Sequence, residues 1–363
     1  MKDSEKKFGH SIYYMNDQNI RDGLLAQKIK PIHLIKLLKG RGILVSPSSS
    51  KEELINILKF LRFDYFEYVY LSSLLANLEK KESKSSIDID KKVTLSDIST
   101  TFNAIKGSLD EKQITAEVKI IGKKKVLIDY EYVEFDHSKP PMRQKSFKKG
   151  VVECDITDNG ALLSYPANKV GAIIKEQLIK QLSKKLDTEL KPIEFDFENN
   201  SIEERNEFLI KIINSIPSYD VYDVVAVAVK TNDKDEDDAT QDESIEEAFT
   251  GEVRNAIFRG RQILTSKIYS GLNANNYYIY KITWKIRENI TMVGSDKSDC
   301  YTVEVEFSDK DKAKGLKYSV KSVQRYSVRE KLNITTENPK KSEQEFLGKI
   351  IYQTALSVYS AIQ

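Results

Sequence analysis

Residues 114–135 read ITAEVKIIGKKKVLIDYEYVEF, and here the hydrophobic period changes from that of helices to that of strands. Residues 114–121 and 126–135 alternate or run apolar as strands do. Residues 151–156 form a third such run and 161–165 a fourth. Asp158-Asn159-Gly160 is a turn signal of the Asn-Gly type, so the third and fourth strands are expected to pair as a hairpin. Asn168 then caps an amphipathic helix over residues 169–186, with Val170, Ile173, Ile174, Leu178 and Leu182 inward. A shorter helix, 96–105, precedes the strands.

Downstream, residues 193–197 read as a strand. Ser201-Ile-Glu-Glu opens a helix that runs to Ile216, where Pro217 stops it. Residues 219–229 are strongly β and suit a central strand. Residues 231–247, TNDKDEDDATQDESIEE, are acidic and lack periodicity, which reads as a solvated loop. The run has no glycine bend, so it does not fit a calcium loop. Residues 252–272 read as a helix, 277–286, 301–307 and 316–326 as strands, and 343–362 as a closing helix. Helix, strands, long helix therefore occurs at 96–186 and again at 252–362, a loose two-fold echo of architecture.

Upstream, residues 79–92, EKKESKSSIDIDKK, are polar and rich in Ser and Lys, as linkers are. Residues 1–80 read as helical. The expected fold class is α+β: an all-helical N-terminal domain (1–80), a linker (81–94), then antiparallel sheets flanked by long helices in subdomains 95–190 and 191–363, the second carrying the acidic loop.

The helical part holds the stretch that points to a partner. In residues 31–63, PIHLIKLLKGRGILVSPSSSKEELINILKFLRF, Ile32, Ile35, Leu37 and Leu38 recur at helical spacing behind Pro31. Gly40 and Gly42 stop that helix. A short extended piece and a serine turn lead to a second helix, capped by Ser49 or Ser50, with Glu52 and Glu53 in its first turn. This layout resembles the SAP family of small DNA-binding modules. Leu34, Leu37, Leu38, Gly42, Ile43, Lys51, Glu53, Leu54, Ile55 and Leu58 carry the likeness, over about 35 of 363 residues. The resemblance implies binding of duplex DNA, mostly through phosphates. Charge agrees: Lys28, Lys30, Lys36, Lys39, Arg41, Lys51, Lys59 and Arg62 face only Glu52 and Glu53, a net of +6.

The candidate DNA contacts are therefore Lys36, Lys39, Arg41, Lys51 and Lys59, joined by a second basic cluster in residues 139–149, KPPMRQKSFKK, with Arg143, Lys145, Lys148 and Lys149. A third basic series alternates over residues 310–329. The aromatics of the fourth helix, from Phe63 to Tyr70, suit a core better than a stacking platform.

Over the whole chain the net charge is +2, so a nucleic-acid site has to be a local patch. No apolar run reaches the roughly 20 residues that span a bilayer. Residues 1–30 show no secretory pattern. Cys154 and Cys300 stand alone, without metal or redox spacing, which fits a reducing, cytoplasmic setting. The Lys, Ile and Asn bias fits an AT-rich bacterial genome. His10, His33 and His137 are scattered, and there is no GxxxxGK[ST] or GxGxxG phosphate loop.

The enzyme alternative is a PD-(D/E)xK-type nuclease, which Asp110 before Glu117-Val118-Lys119 resembles. There, carboxylates would hold Mg²⁺ and the lysine would help activate water. The sequence reading is a non-enzymatic duplex-DNA binder without cofactor, metal, membrane or small-molecule substrate. A protein-scaffold subunit of a bacterial antiviral-defence or chromosome complex is the other alternative.

Overall fold

The computed structural model describes residues 17–75, 82–136, 138, 144–158, 160–190, 192–231, 255–259, 276–289, 298–327 and 332–362. In chain order the elements are α1 (Asp17–Leu25), α2 (Pro31–Gly40), α3 (Lys51–Leu58), α4 (Tyr65–Leu75), β1 (Lys84–Ile89), α5 (Leu95–Asp110), β2 (Thr115–Ile121), β3 (Lys125–Phe135), β4 (Lys145–Ile156), β5 (Ala161–Pro166) and α6 (Lys169–Lys185). The chain continues with α7 (Ile202–Asn214), β6 (Tyr219–Thr231), β7 (Asn255–Arg259), β8 (Tyr277–Glu288), β9 (Cys300–Asp309), β10 (Lys314–Ser327), β11 (Leu332–Glu337) and α8 (Lys341–Ile362).

Eleven antiparallel strands dominate, against eight helices among the described residues. This overturns the expected all-helical N-terminal domain followed by helix-flanked sheets in two similar halves. The described residues gather into two compact units. The first lies within Met1–Lys80, Val93–Ile156 and Val170–Leu190, the second within Lys81–Lys92, Thr157–Lys169 and Lys191–Gln363. Helices α1–α4 are therefore no separate domain. They share a unit with β2–β4, and α4 meets β4.

In the first unit, Leu24, Leu34, Leu38, Leu54, Leu58 and Leu71 close the core of the four helices. The β2–β3–β4 ladder places Ala116, Val126, Ile128, Tyr130, Val152 and Cys154 on one buried face, and α5 lies against β2 and β3. The other face carries Glu117, Lys119, Asp129, Glu131 and Lys149. The alternation puts the two sets on opposite sides because successive side chains point to opposite faces. Strand β4 begins six residues earlier than the apolar run from Val151, so Lys145–Lys149 are strand and not loop.

The second unit holds the strand order β5-β1-β10-β9-β8-β6-β7. Strand β10 is bonded along one edge by β9, and along the other by β1 at Tyr318 and by β11 from Val323 to Ser327. Its core joins Trp284, Val303, Val305 and Phe307 of the sheet to Phe208, Leu209 and Ile212 of α7 and to Leu347, Ile351 and Ala355 of α8. The expected linker is strand β1, not a tether. Ser85, Ser86, Ile87 and Ile89 are all buried. Ser86 Oγ lies 2.7 Å from Ser164 Oγ and 2.6 Å from Tyr318 Oη, and Ser85 Oγ donates to Leu316 O at 2.8 Å. Satisfied hydroxyls can be buried, so serine composition misled the reading.

Three further expectations change. Residues 193–197 make a single bridge, Asp196 to Lys314, because Phe195 and Phe197 turn into an aromatic cluster with Phe208. Residues 255–259, expected within a helix, are strand β7; the rest of that expected helix and residues 232–247 lie outside the described residues. Strand β6 lies between β8 and β7 near one end of the strand order. No helix among the described residues is long and apolar enough to cross a membrane.

Asp97 ties α5 to α6 and gives the fold a pH signature. Thr94 Oγ1 donates to it at 2.7 Å, Lys185 Nζ stands 2.9 Å away, and together with the Thr94 backbone N–H they hold its carboxyl down to about 2. The folded value lies below the unfolded one. Its contribution, on the order of 1–2 kcal/mol, is complete above about pH 4 and is lost as pH falls toward 2. Thermal unfolding of Asp97→Asn should show a lower midpoint than wild type at neutral pH, with the gap closing near pH 2.

Candidate nucleic-acid interface

The α2–α3 hairpin is built by local chemistry. Pro31 starts α2, and Gly42, at φ +74°, ends it, with Ile43 N–H reaching back to Leu38 O at 2.9 Å. Ser50 caps α3: its Oγ accepts from Glu53 N–H at 3.2 Å, and Glu53 Oε2 accepts from Ser50 N–H at 2.8 Å. Leu34, Leu37, Leu38, Leu54, Ile55 and Leu58 face inward, which leaves the lysines between them outside.

The five candidate cations of this hairpin then part company. Lys36 and Lys39 lie one turn apart on the exposed side of α2, and Lys36 Nζ sits 5.1 Å over the Tyr70 ring of α4. Lys59 is half-buried, 3.0 Å from Asn56 Oδ1 and 4.8 Å over the Phe60 ring. Arg41 is committed internally. Its guanidinium grips both carboxylate oxygens of Glu67, donates to Arg62 O and lies 5.4 Å over the Phe63 ring. Lys51 Nζ donates to Leu25 O and Ala26 O at 3.1 and 2.8 Å, which caps the carboxyl end of α1, and burial lowers its pKa. Arg41 and Lys51 are thus structural.

The second cluster is largely neutralised. Lys149 pairs with Glu131, and Lys148 Nζ lies 3.9 Å from Glu134. Register sets Glu131 opposite Lys149, and Glu134 lies diagonal to Lys148, two residues beyond its opposed partner Tyr132. Arg143 and the Lys145 side chain lie outside the described residues. Most of the third series is also matched, and Arg329 lies outside the described residues. Lys314 meets Asp196 and Glu198, Lys317 meets Glu306, Lys321 meets Glu304, and Arg325 meets Asp299 and Glu343. A sequence scan counts these cations, but only the register shows the acids opposite them.

Glu117 and Lys119, the nuclease candidates, line an open cleft of about 450 Å³ with Asp129, Glu131, Lys149 and Gly150. Gly150 leaves room for the Tyr130 ring, which a side chain there would meet. Lys119 Nζ is held by Asp129 Oδ2 at 2.6 Å, so it is engaged and not poised beside a water. Asp110 ends α5. No three acidic, histidine or cysteine side chains among the described residues gather to hold a metal. The cleft carries Glu117, Asp129 and Glu131, which do not come together as a metal-holding group.

Sequence reasoning missed one surface feature. Leu44, Phe60 and Phe66 are 85%, 80% and 79% exposed around the hairpin, so the aromatic stripe of α4 is not all core. Phe66 precedes Tyr70 by one turn, and its exposure was unreadable from spacing alone.

No family model matches this chain, and no curated protein matches it. Among solved structures, that of DynU16, from the dynemicin biosynthetic locus, aligns over 78% of this chain and 100% of its own, at 10% identity and a TM-score of 0.19. A likeness so low carries no argument about fold or function.

The Arg41 clamp can be checked directly. Lysine cannot reproduce a two-pronged grip on a carboxylate. Arg41→Lys should therefore cost about 1–2 kcal/mol in urea unfolding, with faster amide hydrogen exchange at the end of α2 and the start of α4.

Proposed function

We propose that the protein binds duplex DNA without catalysing a reaction, through phosphate contacts made by the α2–α3 module in a cytoplasmic setting. One observation carries this reading: of the acids in residues 31–67 only Glu52, exposed in the first turn of α3, makes no hydrogen bond or ion pair among the described residues, while several of the module's cations face outward. Glu53 caps α3, Asp64 accepts from Glu67 N–H at the start of α4, and Glu67 holds Arg41. Lys36, Lys39 and Arg62 are exposed, and Lys59 half so. A surplus of outward ammonium groups on a rigid helix pair suits a polyanion, because each phosphate neutralised releases condensed counterions. Arg41 and Lys51 drop out of the contact set, and Lys148 and Lys149 contribute only where DNA competes with Glu134 and Glu131. Buried free thiols at Cys154 and Cys300 agree with a reducing compartment.

A protein partner is the second reading, favoured by exposed Leu44, Phe60 and Phe66, which a scaffold contact would cover. Light scattering of the protein with and without duplex DNA separates the two.

In a fluorescence-anisotropy titration of a duplex, the double variant Lys36→Glu/Lys39→Glu should bind at least about tenfold more weakly. The slope of log K against log salt should fall by about 2, since each lost phosphate contact removes about 0.9. Unchanged affinity and slope would remove the hairpin from the reading.

A further inference from the structure

Strand β2 is bonded by β3 along one edge, and among the described residues nothing bonds the other. An open edge is a row of unpaired N–H and C=O groups, which proteins guard with proline, bulges, very short strands or charged side chains, and the charges β2 carries, Glu117 and Lys119, are of opposite sign. β2 has seven residues, no proline and an unbroken register with β3. On its helix-covered face exposure rises along the strand, from Ala116 at 1% through half-buried Val118 to Ile120 at 53%, and on the other face Ile121 is 51% exposed.

We propose that β2 pairs antiparallel with β2 of a second copy of this chain, about a two-fold axis at Val118. Residues directly opposed in an antiparallel pair point to the same side of the sheet. A two-fold pair therefore keeps the two helix-covered faces together only when the axis passes through a residue. With the axis at Val118, Glu117 faces the partner's Lys119, and Lys119 faces the partner's Glu117. Ala116 faces the partner's Ile120, and Thr115 faces the partner's Ile121. Shifting the axis by one residue sets Glu117 against its own copy, or Lys119 against its own copy. Opposed unlike charges stabilise a strand pair and like charges oppose it, so charge selects the Val118 register. Lys119 can serve both neighbours: its ammonium has three donors, and Asp129 takes one. The same pairing covers Ile120 and Ile121, whose side chains point to opposite faces. A ladder this short buries less than the roughly 1,200 Å² of a standard interface, so the dimer forms weakly and with concentration.

Sedimentation of the full chain over a concentration series tests this. Wild type should move from monomer mass to twice that mass as concentration rises. Glu117→Lys and Lys119→Glu, each with wild-type circular dichroism, should self-associate at least about tenfold more weakly, since each brings like charges face to face. An equimolar mixture of the two variants should dimerise again, because every opposed position in the mixed pair then carries unlike charges. A purely structural effect of either substitution would not be rescued by mixing. Wild type that stays monomeric at every concentration, single variants that dimerise as wild type does, or a mixture that stays monomeric would each overturn the proposal.

Discussion

The hydroxyl of Ser86 sits between those of Ser164 and Tyr318, and the sheet of the second unit depends on the strand that carries it. β1 is bonded by β5 along six residue pairs and reaches β10 at Tyr318. Its partners lie 78 and 232 residues away in the chain, so this seam closes only when distant segments meet. A hydroxyl buried without a partner would destabilise that seam, and the three-member chain removes the penalty. The sheet from β8 to β10 can then rest against α7 and α8 with Trp284 fully buried between the layers.

Charge follows the same logic on the outward faces. Lys281 stands 3.0 Å from Glu304 and 3.5 Å from Glu306, while Lys321 and Lys317 approach the same two acids from β10. β3 and β4 repeat the device in the first unit. Strand register thus turns runs that look basic in one dimension into balanced lattices. The helical module differs because a helix spends its acids at its own ends, as Glu53 and Glu67 do, and leaves lysines on the outer stripe. That contrast is why the module, rather than either sheet face, carries the proposed contact with a polyanion.

Much of the secondary structure was legible. The alternation in β2, β3, β8, β9 and β10, the Ser201 capping box of α7 and the apolar stripe of α8 are local patterns, and local physics decides them. Where reading failed, the deciding partner was remote. β1 looked like a linker because its serines find their acceptors across the sheet. β7 reads as helix in the sequence, since five residues cannot announce a strand without β6 beside them. Of the candidate site, the capped helix pair could be seen, but not that Arg41 belongs to Glu67 and Lys51 to the end of α1.

By itself, the sequence determined most of the helical and extended segments, several of the caps, and that cations outnumber acids near the N-terminus, because those properties depend on neighbours a few residues apart. The tertiary structure alone decided which cations are matched, which strands share a unit and which edge is left open. Those outcomes depend on groups tens or hundreds of residues apart coming within hydrogen-bonding distance, and no window along the chain contains both members of such a pair.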